Sequence, residues 1–309
     1  MQNKLKIIFV GMPDMALVCL SNLLQNNFNI VGVVPPKKTH ETYEFFKQYV
    51  LSNNLNLIDF EESCNEKECI EKIKELDADI GVVCSYNYKL SCEFLETTKM
   101  GFINSHPSKL PDYRGAAPYF HIINNNEKKS AITLHFMDET FDTGDIIYQK
   151  EFDIMPIETM GTLFNRTNFM LAEGLIRILS DLEGGKQLIR IPQDKRGIYI
   201  DAPRVDGNFR IRFNQDVDKI ESLIRACNPF YNAFCFFRGV NLKVIKARAI
   251  KKEHNLVFGQ IAMADKDNFV VAAKNGFLSI DVLQVGTWGV FKTDDFYYTF
   301  TPKVAEMLN

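Results

Sequence analysis

The chain has 309 residues, 46% of them hydrophobic and 24% charged, with a formal net charge of -3 and a pI near 6.0. That length accommodates two domains, and the composition is that of an ordinary globular protein. The slightly acidic balance gives no global electrostatic case for nucleic acid or for an anionic membrane surface.

Lysines precede a short apolar run at the N-terminus, but Pro13 and Asp14 interrupt that run and no clean small-residue cleavage site follows, so a secretory signal is not expected. "LKIIFV" predicts a strand covered on both faces. "DMALVCLSNLLQ" has helical spacing at Leu17, Leu20, Leu23 and Leu24, and "FNIVGVV" is a second β-branched run closed by Pro35 and Pro36. "EESCNEKECIEKIKEL" reads as an amphipathic helix with Ile70, Ile73 and Leu76 inward. "ADIGVVCS" and "GFINS" are the third and fourth strands; "AITLHFM" and "IIYQKEF" alternate as half-exposed strands do. A long helix, "TLFNRTNFMLAEGLIRILSDLEGG", stops at Gly184-Gly185. Strands alternating with helices predict an α/β, mostly parallel, Rossmann-like sheet over residues 1–190.

Residues 191–207 are polar, poor in periodicity and broken by Pro192 and Pro203, as a linker would be. From 208 to 309 the character changes. One helix, "QDVDKIESLIRACNPF", ends at Pro229, and short runs such as "NLKVIKARAI", "NFVVAAK" and "FLSIDVLQV" predict a second, smaller, β-rich domain of the OB-like kind. No stretch approaches the ~20 apolar residues of a membrane span, and a cytoplasmic location is expected. The seven cysteines contain no C-x-x-C and suit buried thiols in a reducing compartment, not disulfides or a zinc site.

In open α/β sheets, ligands bind beyond the carboxyl ends of the strands. "NSHPSKLPDYRG" lies there, and Asn104 and His106, two residues apart on an extended segment, point the same way. Pro107, Pro111 and Gly115 stiffen the turn that follows, which suits pre-positioned reacting groups. "FMDETFDTGDII" offers Asp138, Asp142 and Asp145 on an acidic loop. A carboxylate beside the histidine would raise its basicity and fix its tautomer, although Asp-Thr-Gly-Asp is also ordinary turn chemistry. Spacing alone does not bring this loop to His106. "GMPDMA" lacks the glycines of a dinucleotide fingerprint, which argues against an oxidoreductase. His121 and His135 belong to no metal motif and read as structural or solvated, while Trp288 is either a base-stacking residue or core.

"NSHPSKLPDYRGAAP", followed 36 residues after its histidine by the Asp of "FDTGD", resembles the 10-formyltetrahydrofolate-dependent formyltransferase family. "KIIFVGMPDMALVCLSNLL" is similar to that family's opening strand, loop and helix. "DADIGVVCSYNYKL" resembles its strand leading into the pterin site, and "IESLIRACNPFYNAFCFFRGVNLKVIKA" the C-terminal domain of its longer members, including the methionyl-tRNA enzymes. The resemblance implies a formyltransferase fold, a folate cosubstrate, no metal, and Asn104, His106 and Asp142 as the catalytic trio. Asn104 would donate to the oxyanion; His106 would take the amine proton or help stabilise the intermediate; Asp142 would hold His106 and raise its pKa.

Tyr86, Asn87, Tyr88 and Asp138 are candidate folate contacts, and Gly11, Met12 and Arg114 candidate acceptor contacts. Arg114 would meet a phosphate or pair with Asp112. Among the acceptors the family serves, the resemblance favours a dTDP- or UDP-linked amino sugar used in surface polysaccharide, such as lipopolysaccharide, synthesis; initiator methionyl-tRNA is the alternative. The segment "VVPPKKTHETYEFF" is short and carries only Lys37 and Lys38, whereas tRNA requires many phosphate-neutralising cations. A sugar nucleotide and folate are the expected partners, with no nucleic acid outside that alternative, no membrane, and homodimerisation open.

Overall fold

The computed structural model describes residues 4–59, 66–86, 88–203 and 209–309. The chain divides into two compact units that interleave in sequence. Residues 1–118, 129–152 and 164–200 form the first; 119–128, 153–163 and 201–309 form the second. Residues 191–200, inside the expected linker, cluster with the first unit, and the expected boundary at residue 208 falls outside the described residues.

The chain begins with β1 (Lys6–Gly11), α1 (Met15–Gln25), β2 (Asn29–Val34) and α2 (Tyr43–Ser52). It continues through α3 (Glu66–Glu75), β3 (Ile80–Cys84), the single turn α4 (Cys92–Leu95) and β4 (Phe102–His106). Then follow β5 (Arg114–Gly115), α5 (Pro118–Asn124), β6 (Lys129–Phe136), β7 (Ile146–Asp153), α6 (Met160–Glu183) and β8 (Tyr199–Ile200). The main sheet has the order β2-β1-β3-β4-β6-β7. β1 pairs in parallel with β2 and β3, and β3 with β4, so the alternating strand-helix pattern does yield a mostly parallel sheet. β4 and β6 run antiparallel, with Asn104 opposite His135 and His106 opposite Thr133.

The apolar strands are buried because helices cover the sheet. Ile8, Val10 and Val83 pack with Ile70 and Ile73 of α3, and with Phe94 and Phe102. β6 departs from the sequence reading. Its pattern suggested a half-exposed strand, yet every residue from Ser130 to Phe136 is buried. β4 and β7 flank it on both edges, so its polar residues Thr133 and His135 are interior and must find partners there. β7, at the sheet edge, is half-exposed as expected. The "TYEFF" stretch leads into α2, with Tyr43, Phe46 and Val50 inward.

The second unit contains α7 (Val217–Cys227), β9 (Phe234–Phe237), β10 (Val240–Lys251), β11 (Ile261–Ala264), β12 (Phe269–Ala273), β13 (Gly276–Val285), β14 (Gly289–Lys292) and α8 (Thr293–Phe300). Its sheet, β11-β12-β13-β10-β9 with β14 on β13, is antiparallel throughout. This is the smaller β-rich domain that the short runs implied. Trp288 is not core: it is exposed and stacks on Phe300 at 5.8 Å. Cys19, Cys69, Cys84, Cys227 and Cys235 are buried and Cys92 is exposed. Burial pushes the Cys227 and Cys235 thiols up to about 12, which keeps them protonated and poor nucleophiles. Among the described residues no helix is long and apolar enough to cross a membrane.

Candidate active site

β4 ends at the carboxyl edge of the sheet, and its alternation puts Asn104 and His106 on one face. Asp142 reaches the same point from the loop after β6. Its backbone is left-handed (φ 58°), a conformation Asp tolerates better than most residues, and this turn directs the carboxylate back onto the sheet. Asp142 Oδ1 accepts from Asn104 Nδ2 at 3.1 Å and lies 3.4 Å from His106 Nδ1, while Oδ2 accepts from the Gly115 amide at 2.9 Å. Gly115 is suited to that contact: φ is 97°, and a Cβ there would lie 2.4 Å from the Ile200 carbonyl. The three residues singled out from two separated segments therefore converge.

The loop is clamped from behind. Gln193 Nε2 donates to the carbonyls of Asp142 (3.0 Å) and Gly144 (2.7 Å), and its Oε1 accepts from Arg114 Nη2 at 2.8 Å. Arg114 also donates through Nε to the Asp142 carbonyl at 3.2 Å and through Nη2 to the Asp194 carbonyl at 2.9 Å. Only 7% exposed, its guanidinium bonds to these groups rather than to Asp112. Of its two expected partners, Asp112 thus gives way to the backbone of the Asp142 loop. Gln193 was invisible in sequence, since nothing distinguishes "IPQD" from other linkers.

A fourth polar side chain belongs to the cluster. His135, 1% exposed, sits opposite Asn104 in the β4–β6 ladder, with Nε2 3.2 Å from Asn104 Nδ2 and 3.5 Å from Asp142 Oδ1. Its Nδ1 lies 2.8 Å from the Phe136 carbonyl, which can only accept, so the proton of the neutral ring sits on Nδ1 and Nε2 accepts from Asn104. Both Asn104 N–H bonds are then committed, one to Asp142 and one to His135. A His on a buried strand directly across from Asn104 was the available signal, but it needed the register.

The same reasoning places the proton of neutral His106. Nε2 faces the Tyr113 carbonyl at 2.9 Å and donates to it, leaving Nδ1 as the basic atom beside Asp142. Burial lowers the His106 pKa below its ordinary value; Asp142 and the Tyr113 carbonyl pull upward without overcoming it, and His135 adds to the lowering. The carboxylate was expected to raise the histidine outright, but desolvation wins. Burial alone would raise the Asp142 carboxyl. The His106 and His135 rings and the Gly115 amide outweigh it and hold Asp142 well below the usual carboxylate range. At neutral pH the site is a neutral imidazole beside an ionised carboxylate.

The other sequence candidates are placed differently. The Met12 amide donates to the Cys84 carbonyl at 3.3 Å, and Gly11 packs so tightly that a Cβ would lie 2.6 Å from that of Ala16; this amide continues the β1–β3 ladder instead of presenting itself to a phosphate. Tyr86 packs against the core, edge-on to Tyr88 at 5.2 Å, and burial raises its phenol. Lys37 lies 4.7 Å over the Tyr88 ring. Asp138 is exposed, and its Oδ1 accepts from the Thr140 amide and the Thr143 hydroxyl, which is turn chemistry. Asn87 lies outside the described residues.

The formyl transferase family pattern matches residues 5–179, and that of the formyl transferase C-terminal domain matches residues 206–299. The chain belongs to the formyl transferase family. As such it is an N-formyltransferase, and its family uses formyl-tetrahydrofolate as cosubstrate. Similar curated relatives are the methionyl-tRNA formyltransferases of Flavobacterium johnsoniae (31% identical, covering 92% of each chain) and of Clostridioides difficile (32%, covering 91% of this chain and 92% of that one). Among solved structures, the fold matches WlaRD, a sugar 3N-formyl transferase crystallised with dTDP and 5-N-formyl-THF, at TM-score 0.65 and 22% identity. That match covers 92% of this chain and 98% of WlaRD. It also matches the Helicobacter canadensis N-formyltransferase in complex with folinic acid and dTDP-3-aminofucose at TM-score 0.65 and 21% identity, covering 89% of this chain and 98% of that one.

Proposed function

We propose that this formyl transferase moves the formyl group of 10-formyltetrahydrofolate to the primary amine of a nucleotide-linked amino sugar, with Asn104, His106 and Asp142 as the residues of the chemistry. The folate, when bound, supplies the formyl carbon that the amine attacks. The side chains present fit that reaction: a buried neutral base, a buried anion beside it, and a carboxamide on the same strand face. His106 Nδ1 accepts the proton that the amine loses as the C–N bond forms. The imidazolium so made lies 3.4 Å from Asp142, whose ionised state stabilises it. Proton return from His106 to the departing folate nitrogen completes the exchange without net change in the enzyme. Asn104 donates to the developing oxyanion by exchanging one of its present acceptors for it, a contribution of roughly 3–4 kcal/mol for such donors elsewhere.

The observation that carries the acceptor reading is electrostatic. Of the two cations after β2, Lys38 is paired with Asp59 at 3.5 Å and Lys37 lies over the Tyr88 ring, so this short segment offers little free positive charge to a nucleic-acid backbone. Methionyl-tRNA is the second reading, favoured by curated relatives bearing that name at 31–33% identity. Incubation with 10-formyltetrahydrofolate and a panel of dTDP- and UDP-linked 3- and 4-amino sugars tests the first: a formylated sugar nucleotide is expected. Absence of product across the panel, with formylation of initiator methionyl-tRNA that weakens steeply with salt, establishes the second instead.

A further inference from the structure

A cavity of about 380 Å³ opens beside the catalytic loop, lined by Lys89, Arg114, Glu139, Phe141 and Tyr199 among others. Its size is within the ~300–1,000 Å³ of small-ligand sites. Phe141 and Thr143, the immediate neighbours of Asp142, both line it. On the other side the Tyr199 ring lies against Gly115, within 3.0 Å of where a Cβ would stand, and the Gly115 amide is the one bonded to Asp142. Phe141 is 44% exposed and Tyr199 56% exposed, so two large aromatic surfaces face water at the edge of the reaction centre. Such surfaces are costly to leave wet and are well suited to a planar ring. Lys89 is exposed in the same cavity and makes no ion pair with any described residue, whereas Lys37 lies over the ring of Tyr88 and Lys38 is paired with Asp59.

We propose that this cavity binds the nucleoside diphosphate portion of the acceptor, its base against Phe141 and Tyr199 and its diphosphate at Lys89. The inference rests on the sugar-nucleotide reading and assigns the residues that select within that class. The rings provide stacking area that tolerates more than one base, and an uncompensated ammonium group supplies the charge that a diphosphate needs. Phe141 adjoins Asp142 on its loop, and Tyr199 is in β8, which pairs with the β5 strand whose Gly115 amide holds Asp142, so a base between the rings would lie against the catalytic carboxylate's own support.

Titration calorimetry of the full chain with dTDP and with UDP tests this. The wild type should bind at least one of them. Phe141→Ala and Tyr199→Ala should each weaken that binding about ten- to a hundredfold, while Phe141→Tyr and Tyr199→Phe preserve it. Lys89→Ala should weaken it and flatten its dependence on salt. Binding of 5-formyl-tetrahydrofolate should be unchanged in all of them, with thermal melts confirming the fold. If neither nucleotide binds the wild type, or both alanine variants bind as the wild type does, the inference is wrong. Sugar-nucleotide formylation with unaltered KM in both alanine variants removes this subsite and leaves the acceptor reading standing. Ring-dependent nucleotide binding without turnover of any amino sugar does the reverse.

Discussion

The polar centre under Asp142 and the rim beside it are built by opposite rules. In the centre, His106 and His135 are buried and Asn104 and Asp142 half-buried, and each is already held by protein partners before any ligand arrives. At the rim, Phe141, Tyr199 and Lys89 are exposed, and Lys89 has no ion-pair partner among the described residues. Groups that must meet a reacting atom within a fraction of an ångström are fixed by their neighbours, because a small misplacement costs rate steeply. Groups that only select a ligand are left for the ligand to complete. The sharpest break of this contrast is at the proton acceptor. His106→Ala should lower turnover about a thousandfold, the upper range of general-base effects, with an unchanged circular dichroism spectrum. A variant retaining near-normal kcat would take His106 out of the reaction and dissolve the distinction between centre and rim.

The next largest effect is expected at Asp142. Asp142→Asn keeps the shape but removes the charge that favours the His106 imidazolium, and kcat should fall about a hundredfold. The sign of the accompanying pH effect is fixed. Asp142 raises His106 against the lowering effect of burial, so deleting the anion lowers the histidine further. The acid limb of kcat/KM, which in the wild type should already lie below the ordinary histidine value of 6.5, should move to still lower pH. A limb that moves upward would show that burial does not govern this ring.

Sequence and structure agree best where a signal is local. "LKIIFV", "ADIGVVCS" and "GFINS" become β1, β3 and β4 because continuous apolar runs have no alternative to a sheet covered on both faces. Asn104 and His106 were legible because period-2 geometry alone puts them on one face. What could not be read depended on pairing. His135 enters the cluster only through its register with Asn104, and Arg114 and Gln193 through contacts 79 residues apart. The Met12 amide resembled a phosphate donor until the β1–β3 ladder claimed it for Cys84. β6 was misjudged because its alternation of polar and apolar residues records an interior polar network, not a solvent-facing side.

That network predicts a smaller loss behind the loop. Gln193→Ala removes four hydrogen bonds that tie the Asp142 loop and Arg114 together, a net effect of about 1–2 kcal/mol on loop placement, and kcat should fall about tenfold. Nucleotide affinity should suffer less than kcat, since of the rim groups only Phe141 is on the clamped loop, while Tyr199 is in β8 and Lys89 follows β3. An affinity loss larger than the kcat loss would mean that Gln193 supports the rim more than the centre.

The smallest expected effect probes the centre's own economy of hydrogen bonds. His135→Ala deletes the acceptor of one Asn104 N–H and leaves the other on Asp142. Two consequences oppose one another. The freed N–H becomes available to an oxyanion, while the carboxamide loses one of the two bonds that orient it. A neutral hydrogen bond contributes about 0.5–1.5 kcal/mol net, so the loss of orientation should cost kcat about two- to tenfold, with KM for the folate unchanged. His135→Gln, whose carbonyl can still accept from Asn104, should recover part of that loss. If His135→Ala instead turns over faster than the wild type, the bond to His135 restrains Asn104 from the oxyanion more than it positions it, and complete partnering before ligand binding would be a cost of the centre rather than its organising rule.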